Sequence, residues 1–201
     1  MINTIIFDLG NVLIEFNWQR YLASFAFDSR TYEAIATAMF CSPYWNEFDR
    51  GALSDQEILT RFISEAPAHA DKIAQVFENF PASLKCFSYS HAWLTGLKAN
   101  GYQLYYLSNY AKTTHEHSKD ELSFLSLMNG GMMSYEIQKI KPEPAIYHSF
   151  FEKYQIIPKN TVFIDDRKPN IEMAKTLGLH TVHFTDYQAA KQQLDFILNT
   201  Y

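Results

Sequence analysis

Four polar signals in this chain each follow an apolar run. Asp8 closes Thr4-Ile5-Ile6-Phe7 and leads into Gly10-Asn11, and Ser108-Asn109 follows Leu104-Tyr105-Tyr106-Leu107. Lys141-Pro142 follows residues 135–140, which read as strand-like, and Asp165-Asp166 follows Thr161-Val162-Phe163-Ile164. A carboxylate, a hydroxyl, a fixed ammonium and two further carboxylates suit phosphoryl transfer better than other reactions. Asp8 supplies an oxygen able to attack phosphorus and form an aspartyl-phosphate that water then hydrolyses. Carboxylates converging on one site repel, so they call for a cation. The hard oxygens of Asp8, Asp165 and Asp166 suit Mg²⁺, which also neutralises an incoming phosphate. Lys141 adds a second positive charge and Ser108 a hydrogen bond to a phosphoryl oxygen. Pro142 biases Lys141 away from helical geometry and holds it extended. Singly, Asp8 and Ser108-Asn109 read as turn residues and Lys141 as a solvated charge. Asp165 and Asp166 resist that reading, because like charges beside an apolar run need compensation.

These residues need elements to position them. A short apolar run rich in β-branched and aromatic residues reads as a strand buried on both faces of a parallel sheet. Ligands of open α/β sheets collect at the carboxyl ends of such strands, which is where the polar signals fall. Residues 16–81 carry helical periodicity instead, with helices expected over 17–27, 31–40 and 70–80. Ser54 and Glu57 form a capping box that opens a helix with Ile58, Phe62 and Ile63 on its apolar face. From residue 87 the pattern alternates: a helix through Trp93, Leu94 and Leu97 stopped by Asn100-Gly101, then a strand over 102–107. A helix over 113–127 broken by Gly130-Gly131 comes next, followed by a helix over 143–154 and a strand over 161–164. A helix over 170–177, a strand over 180–184 and a terminal helix complete the chain. Strands alternating with helices predict an α/β fold with a parallel, Rossmann-like sheet and an all-helical insertion.

Composition excludes several functions. With 201 residues, 47% hydrophobic and 19% charged, the chain is globular. A net charge of -5 leaves no electrostatic footprint for nucleic acid or an anionic membrane, so small soluble partners are expected. Cys41 and Cys86 form no disulfide framework and have no neighbours at metal-ligand spacing. Two reduced thiols in a cytoplasmic protein, monomeric or homodimeric, are expected. No run approaches the ~20 apolar residues of a membrane span. His115 and His117, two apart, do not share a helical face, which argues against a joint metal site.

The segments Phe7-Asp8-Leu9-Gly10-Asn11-Val12, Leu107-Ser108-Asn109, Lys141-Pro142-Glu143-Pro144 and Phe163-Ile164-Asp165-Asp166-Arg167-Lys168-Pro169-Asn170 resemble, in order, the four signature segments of the haloacid dehalogenase superfamily of phosphatases. The helical insertion resembles that family's mobile cap, so the likeness spans essentially the whole chain. Its Asp8-Leu9-Gly10-Asn11 version is most similar to the branch containing bacterial glucose-1-phosphate phosphatases. The resemblance implies a core of residues 1–15 and 86–201 with a cap over 16–85. It implies Asp8 as nucleophile, Ser108, Asn109 and Lys141 as phosphate binders, and Asp166 as a metal ligand supported by Asp165. Asp8 and the Gly10 carbonyl would join the metal, and Asn170 falls where the family often has another acid. The implied cofactor is Mg²⁺ and the implied partner a small phosphate ester, with sugar phosphates the leading class.

One departure matters. Most phosphatases of this family carry, two residues after the nucleophile, a second Asp that protonates the leaving group, and here that position is Gly10. Losing such a group costs ~10²–10⁴ in rate. A slow enzyme, a replacement acid such as Glu15 or a cap residue, or a substrate needing little help each fit. A non-catalytic binder of phosphorylated metabolites also fits, as does a metal-free haloacid dehalogenase, although the latter has no use for adjacent Asp165 and Asp166. A phospho-acceptor receiver is excluded because its acid pair precedes the acceptor. Residues 45–54 read as a loop between two cap helices, placed like a substrate-specificity loop, with Arg50 and Glu47 expected on the non-phosphate part of the substrate. Arg50-Gly51 reads equally well as a helix-ending turn.

Overall fold

In the computed structural model, which describes residues 1–200, β1 (Thr4–Phe7) lies at the centre of a five-stranded parallel sheet. The others are β4 (Gln103–Ser108), β5 (Gly130–Met133), β6 (Thr161–Asp165) and β7 (His180–His183), in the order β5-β4-β1-β6-β7. Register sets Phe7 beside Tyr106 on one side and Ile164 on the other, so the chain ends carrying Asp8, Ser108 and Asp165 emerge at one edge. Side chains of β1 alternate between two layers, as strand geometry requires. Ile5 and Phe7 join Trp93, Leu94 and Leu194 from α6 (Ser90–Ala99) and α11 (Tyr187–Thr200). Ile6 joins Tyr147, Phe150 and Ile171 from α9 (Pro144–Tyr154) and α10 (Lys168–Thr176). Burying an aromatic or branched side chain of this kind stabilises by roughly 1.5–3 kcal/mol, which is why a four-residue strand suffices.

The chain leaves the sheet and returns to it through a two-stranded antiparallel ribbon, β2 (Ile14–Glu15) against β3 (Lys85–Cys86). Between them run α1 (Trp18–Ala23), α2 (Ser29–Ala38), α3 (Pro43–Arg50), α4 (Asp55–Glu65) and α5 (Ala70–Asn79). Each of the first four starts at a side-chain cap, from Asn17, Asp28, Ser42 and Ser54, which satisfies an otherwise orphaned N–H. The Ser54–Glu57 capping box forms as the sequence predicts. These helices bury a core of their own, including Leu22, Ile35, Met39, Phe48, Phe62 and Ile73.

Three elements differ from the sequence reading. Residues 45–54 are mostly helix: Ser42 caps α3, Pro43 pre-sets its first turn, and Gly51 ends it in the left-handed conformation. The stretch 113–127 splits into α7 (Lys112–His117) and a 3₁₀ turn over Ser123–Leu127. The run 135–140 is no strand; Ser134–Ile137 is a one-turn helix, α8, and the strand is β5, built on Gly130-Gly131. A Cβ at Gly131 would stand 2.2 Å from the Tyr106 ring, so the strand is glycine where β4 presents that aromatic. No helix among the described residues is long and apolar enough to cross a membrane.

Candidate active site

Asp8 leaves β1 with its N–H donating to the Ile164 carbonyl at 2.8 Å, which fixes the residue between two strands. Its Oδ1 accepts from the Leu9 N–H at 2.7 Å and the Ser108 hydroxyl at 2.9 Å, and Lys141 Nζ lies 2.8 Å away. All three donors converge on Oδ1; among the described residues Oδ2 accepts none. Lys141, 2% exposed, also donates to Asp165 Oδ2 at 2.8 Å. Burial works against the ammonium, but Asp165 and Asp8 outweigh it and hold its pKa above the usual lysine value. Asp165 is fully buried, its oxygens taken by Lys141, by the Asn170 amide at 3.0 Å and by the Arg167 N–H at 2.8 Å. Asp165 therefore sits behind the site as a charge that orients Lys141. Asn109 serves the same residue: its Oδ1 accepts from Lys141 N at 2.7 Å and its Nδ2 donates to Lys141 O at 2.9 Å. That side-chain amide, expected on a substrate, is committed to the lysine backbone.

Oxygens of Asp8, Asp165 and Asp166 lie within 4.8 Å of one another. Burial, then neighbouring carboxylates, push the Asp8 carboxyl up despite Lys141, and Asp166 moves the same way. Such crowding disfavours charge on both groups and is relieved by a cation. Asp166 Oδ2 is steered by Asn11 Nδ2 at 3.1 Å, from a residue in the left-handed conformation (φ 56°) that an Asn tolerates. Among the described residues the buried Asn170 Oδ1 has no hydrogen-bond partner, while its Nδ2 faces both Asp165 oxygens, so the orientation of the amide is fixed. An orphaned buried acceptor beside an acidic cluster is what a hydrated cation would satisfy. The clustered oxygens of Asp8 and Asp166 fit a divalent ion, with Asp165 and Asn170 behind them. Gly10 has room for a side chain, because a Cβ there would meet only Phe16 Cβ at 4.0 Å.

Above this floor opens a cavity of about 620 Å³. Asp8, Gly10, Ser108, Lys141 and Asp166 line its base, and Phe16, Trp18, Phe40, Trp45 and Phe80 line its upper wall. The wall rings touch one another, with Phe40 and Trp45 centroids 4.9 Å apart and Trp45 and Phe80 5.0 Å apart. Arg50 and Glu47 are not among the lining residues. Arg50 instead forks onto Glu143, with Nη2 and Nη1 at 2.7 and 3.0 Å, and reaches Glu47 at 3.3 Å. That pairing ties the end of α3 to the segment following Lys141, so a planar guanidinium finds a planar carboxylate rather than a ligand. Glu15 pairs with Arg20 at 2.7 Å and also lies outside the cavity lining. Sequence reasoning passed over Asn11, Asp49, Arg167 and Ser134 as site residues. Asn11 carried a signal in its Gly-Asn turn; Asp49 fell within the stretch read as a loop, where Glu47 and Arg50 were put forward instead.

The sequence model of a hydrolase family, the haloacid dehalogenase-like hydrolases, matches residues 2–178. Drimenol cyclase drtB of Aspergillus calidoustus is 27% identical over all of this chain, which spans only 37% of that protein's length. Sesquiterpene phosphatase astK of Aspergillus oryzae is 23% identical over 94% of this chain and 93% of its own. D-ribitol-5-phosphate phosphatase of Bacteroides thetaiotaomicron is 24% identical over the full length of both. A solved structure of a haloacid dehalogenase-family enzyme from Bacteroides thetaiotaomicron, in complex with magnesium and inorganic phosphate, superimposes with a TM-score of 0.72 at 23% identity, over 90% of this chain and 93% of that one. With a parallel sheet delivering Asp8, Ser108 and Asp165 to one edge, Lys141 set between two of them, and a family match across most of its length, this chain belongs to the haloacid dehalogenase-like hydrolases.

Proposed function

We propose that the chain is a Mg²⁺-dependent phosphatase acting on a small phosphate monoester through an aspartyl-phosphate on Asp8. The observation that carries this reading is the asymmetric clamping of the Asp8 carboxylate, three donors on Oδ1 and none among the described residues on Oδ2. A carboxylate held by one oxygen presents the other in a fixed direction, and orientation of that kind is a large part of catalysis. Oδ2 attacks phosphorus, the bond to the leaving oxygen breaks, and water later cleaves the acyl-phosphate. Ser108 and Lys141, held beside Asp8, stabilise the charge that builds on the phosphoryl oxygens. Asp8, Asp166 and the Gly10 carbonyl would hold Mg²⁺, which when bound would further neutralise the phosphoryl group. Residues 1–15 and 86–201 form the catalytic core in this reading, and residues 16–85 the cap that covers it.

Sugar phosphates fit the base of the cavity and agree with the ribitol-phosphate phosphatase likeness. A second reading, an ester with an apolar organic part, is favoured by the aromatic wall, since five of the lining residues are Phe or Trp. The similarity to a sesquiterpene phosphatase agrees with it. Release of phosphate from a panel of sugar, alkyl, isoprenyl and aryl phosphates, with Mg²⁺ and with EDTA, tests all of these. Metal-dependent turnover is expected; equal rates in EDTA remove the metal, and no turnover of any ester leaves a binder.

A further inference from the structure

We infer that Asp49, on the cap helix α3, donates the proton to the leaving-group oxygen and takes one from the attacking water. The inference rests on the phosphatase reading and names the acid that the floor of the site lacks. An alkoxide leaving an ester needs a proton in the transition state. The cavity offers few donors for it. Lys141 is pinned between two carboxylates, Ser108 donates to Asp8, and the Arg167 guanidinium does not release a proton. The Tyr110 hydroxyl is engaged with Ser118 at 2.9 Å, and burial drives its pKa well above the usual range. Asp166 belongs to the acidic cluster and is held by Asn11. Asp49 is the remaining carboxyl on the cavity, and it approaches from the cap, the side on which the organic part of the ester must lie.

Its placement is built rather than incidental. The Asp49 carbonyl accepts from the hydroxyl of Ser134, which is fully buried and also accepts from the Tyr110 N–H at 2.9 Å. The last turn of α3 is thereby fastened to the ends of β4 and β5, two residues past Ser108. Next in the chain, Arg50 forks onto Glu143, and Gly51 packs so closely on Tyr135 that a Cβ would stand 2.7 Å from its Cβ. Facing Asp49 from the core are Arg167, Lys141 and Asp8, with Asp166 in the same cavity; on its own helix Arg50 and Glu47 are paired with each other. Burial, opposed by Arg167 and Lys141 and assisted by Asp8, pushes the carboxyl up to about 7, where it both gives and accepts a proton near neutral pH.

The steps balance. As Asp8 Oδ2 bonds to phosphorus, the ester P–O bond breaks, its electron pair goes to the departing oxygen, and the Asp49 proton follows, releasing the alcohol. In the second step ionised Asp49 takes a proton from water, the water oxygen bonds to phosphorus, and the acyl-phosphate P–O pair returns to Asp8.

The test compares the full chain with Asp49→Asn and Asp49→Glu, in Mg²⁺, by single-turnover release of alcohol. One substrate is p-nitrophenyl phosphate, whose leaving group departs without a proton. The other is an alkyl phosphate that the unmodified chain turns over. Asp49→Asn is expected to slow the alkyl ester ~10²–10⁴-fold while leaving the nitrophenolate burst nearly unchanged, and Asp49→Glu to restore part of the alkyl rate. Equal loss on both esters, as from a purely structural role, or no loss on the alkyl ester overturns the inference while the phosphatase reading stands. No ester turned over by the unmodified chain overturns both.

Discussion

The floor of the cavity and its wall are stabilised in opposite ways. The floor is a closed charge network: Lys141 sits between Asp8 and Asp165 at 2.8 Å each, and Asn109, Asn170 and Asn11 use side-chain amides to aim its members. The wall is aromatic, held by ring packing within the helical insertion and fastened to the rest of the chain at a few polar points, chiefly Ser134 on Asp49, Thr113 on Asp55 and Arg50 on Glu143. A network of buried charges has one good arrangement, because an unpaired member costs several kcal/mol. Aromatic packing tolerates exchange of shape at constant volume. The floor is therefore suited to a fixed reaction and the wall to a substrate that differs from relative to relative.

Changes to the floor are expected to have the largest effects. Asp8→Asn keeps the shape of the side chain but removes the attacking oxygen. Turnover is expected to fall by roughly 10⁴-fold or more, with the circular dichroism spectrum unchanged. Retained turnover moves the nucleophile elsewhere. Lys141→Met is next: it leaves Asp8 and Asp165 buried without their cation, a loss on the order of 3–5 kcal/mol. A urea midpoint measured without Mg²⁺ reads it directly. A midpoint within error of the unmodified chain breaks the claim that the floor is a single network. Asp166→Ala removes an oxygen ligand while sparing the lysine pair, so the Mg²⁺ concentration for half-maximal turnover is expected to rise by about tenfold or more. An unchanged requirement counts against Asp166 as a ligand.

The same contrast explains what could be read from the sequence. Asp8, Ser108 and Asp165 lie at the ends of strands whose apolar runs announce them whatever the tertiary contacts are, whereas the strand read before Lys141 is a one-turn helix. The capping box at Ser54 was legible for a similar reason, since it is satisfied within four residues. What was illegible depends on partners far away in the chain. Nothing in Gly130-Gly131 signals a strand until Tyr106 is seen covering it. Arg50 looked free for a substrate until Glu143, distant in sequence, was found opposite it. Asp49 lay in a stretch that read as a loop, so its place on the cavity follows only from the formation of α3 and its fastening to Ser134.

The smallest effect belongs to the fastening between the two regions, and it sharpens the contrast because it is electrostatic yet partly solvated. The hydrogen bonds from Arg50 hold the Glu143 carboxyl below its usual pKa, against the opposing effect of burial. A carboxyl with a depressed folded pKa contributes stability above its unfolded value, near 4.3, and loses that contribution as pH falls through the lower folded value. Glu143 is 41% exposed at its side chain, so water screens the pair and its contribution is expected to stay within about 1 kcal/mol. Arg50→Ala should thus change the urea midpoint slightly at pH 7, with the difference shrinking as pH falls from near 4.3 through the lower folded value. Its kinetic effect is expected mainly on esters whose leaving group needs a proton, because the variant loosens the last turn of α3, which carries Asp49, without touching the floor. If Arg50→Ala instead slows an alkyl and a p-nitrophenyl ester equally, the fork onto Glu143 acts on the floor rather than through Asp49, and the division between a fixed floor and a wall fastened to it fails at that helix.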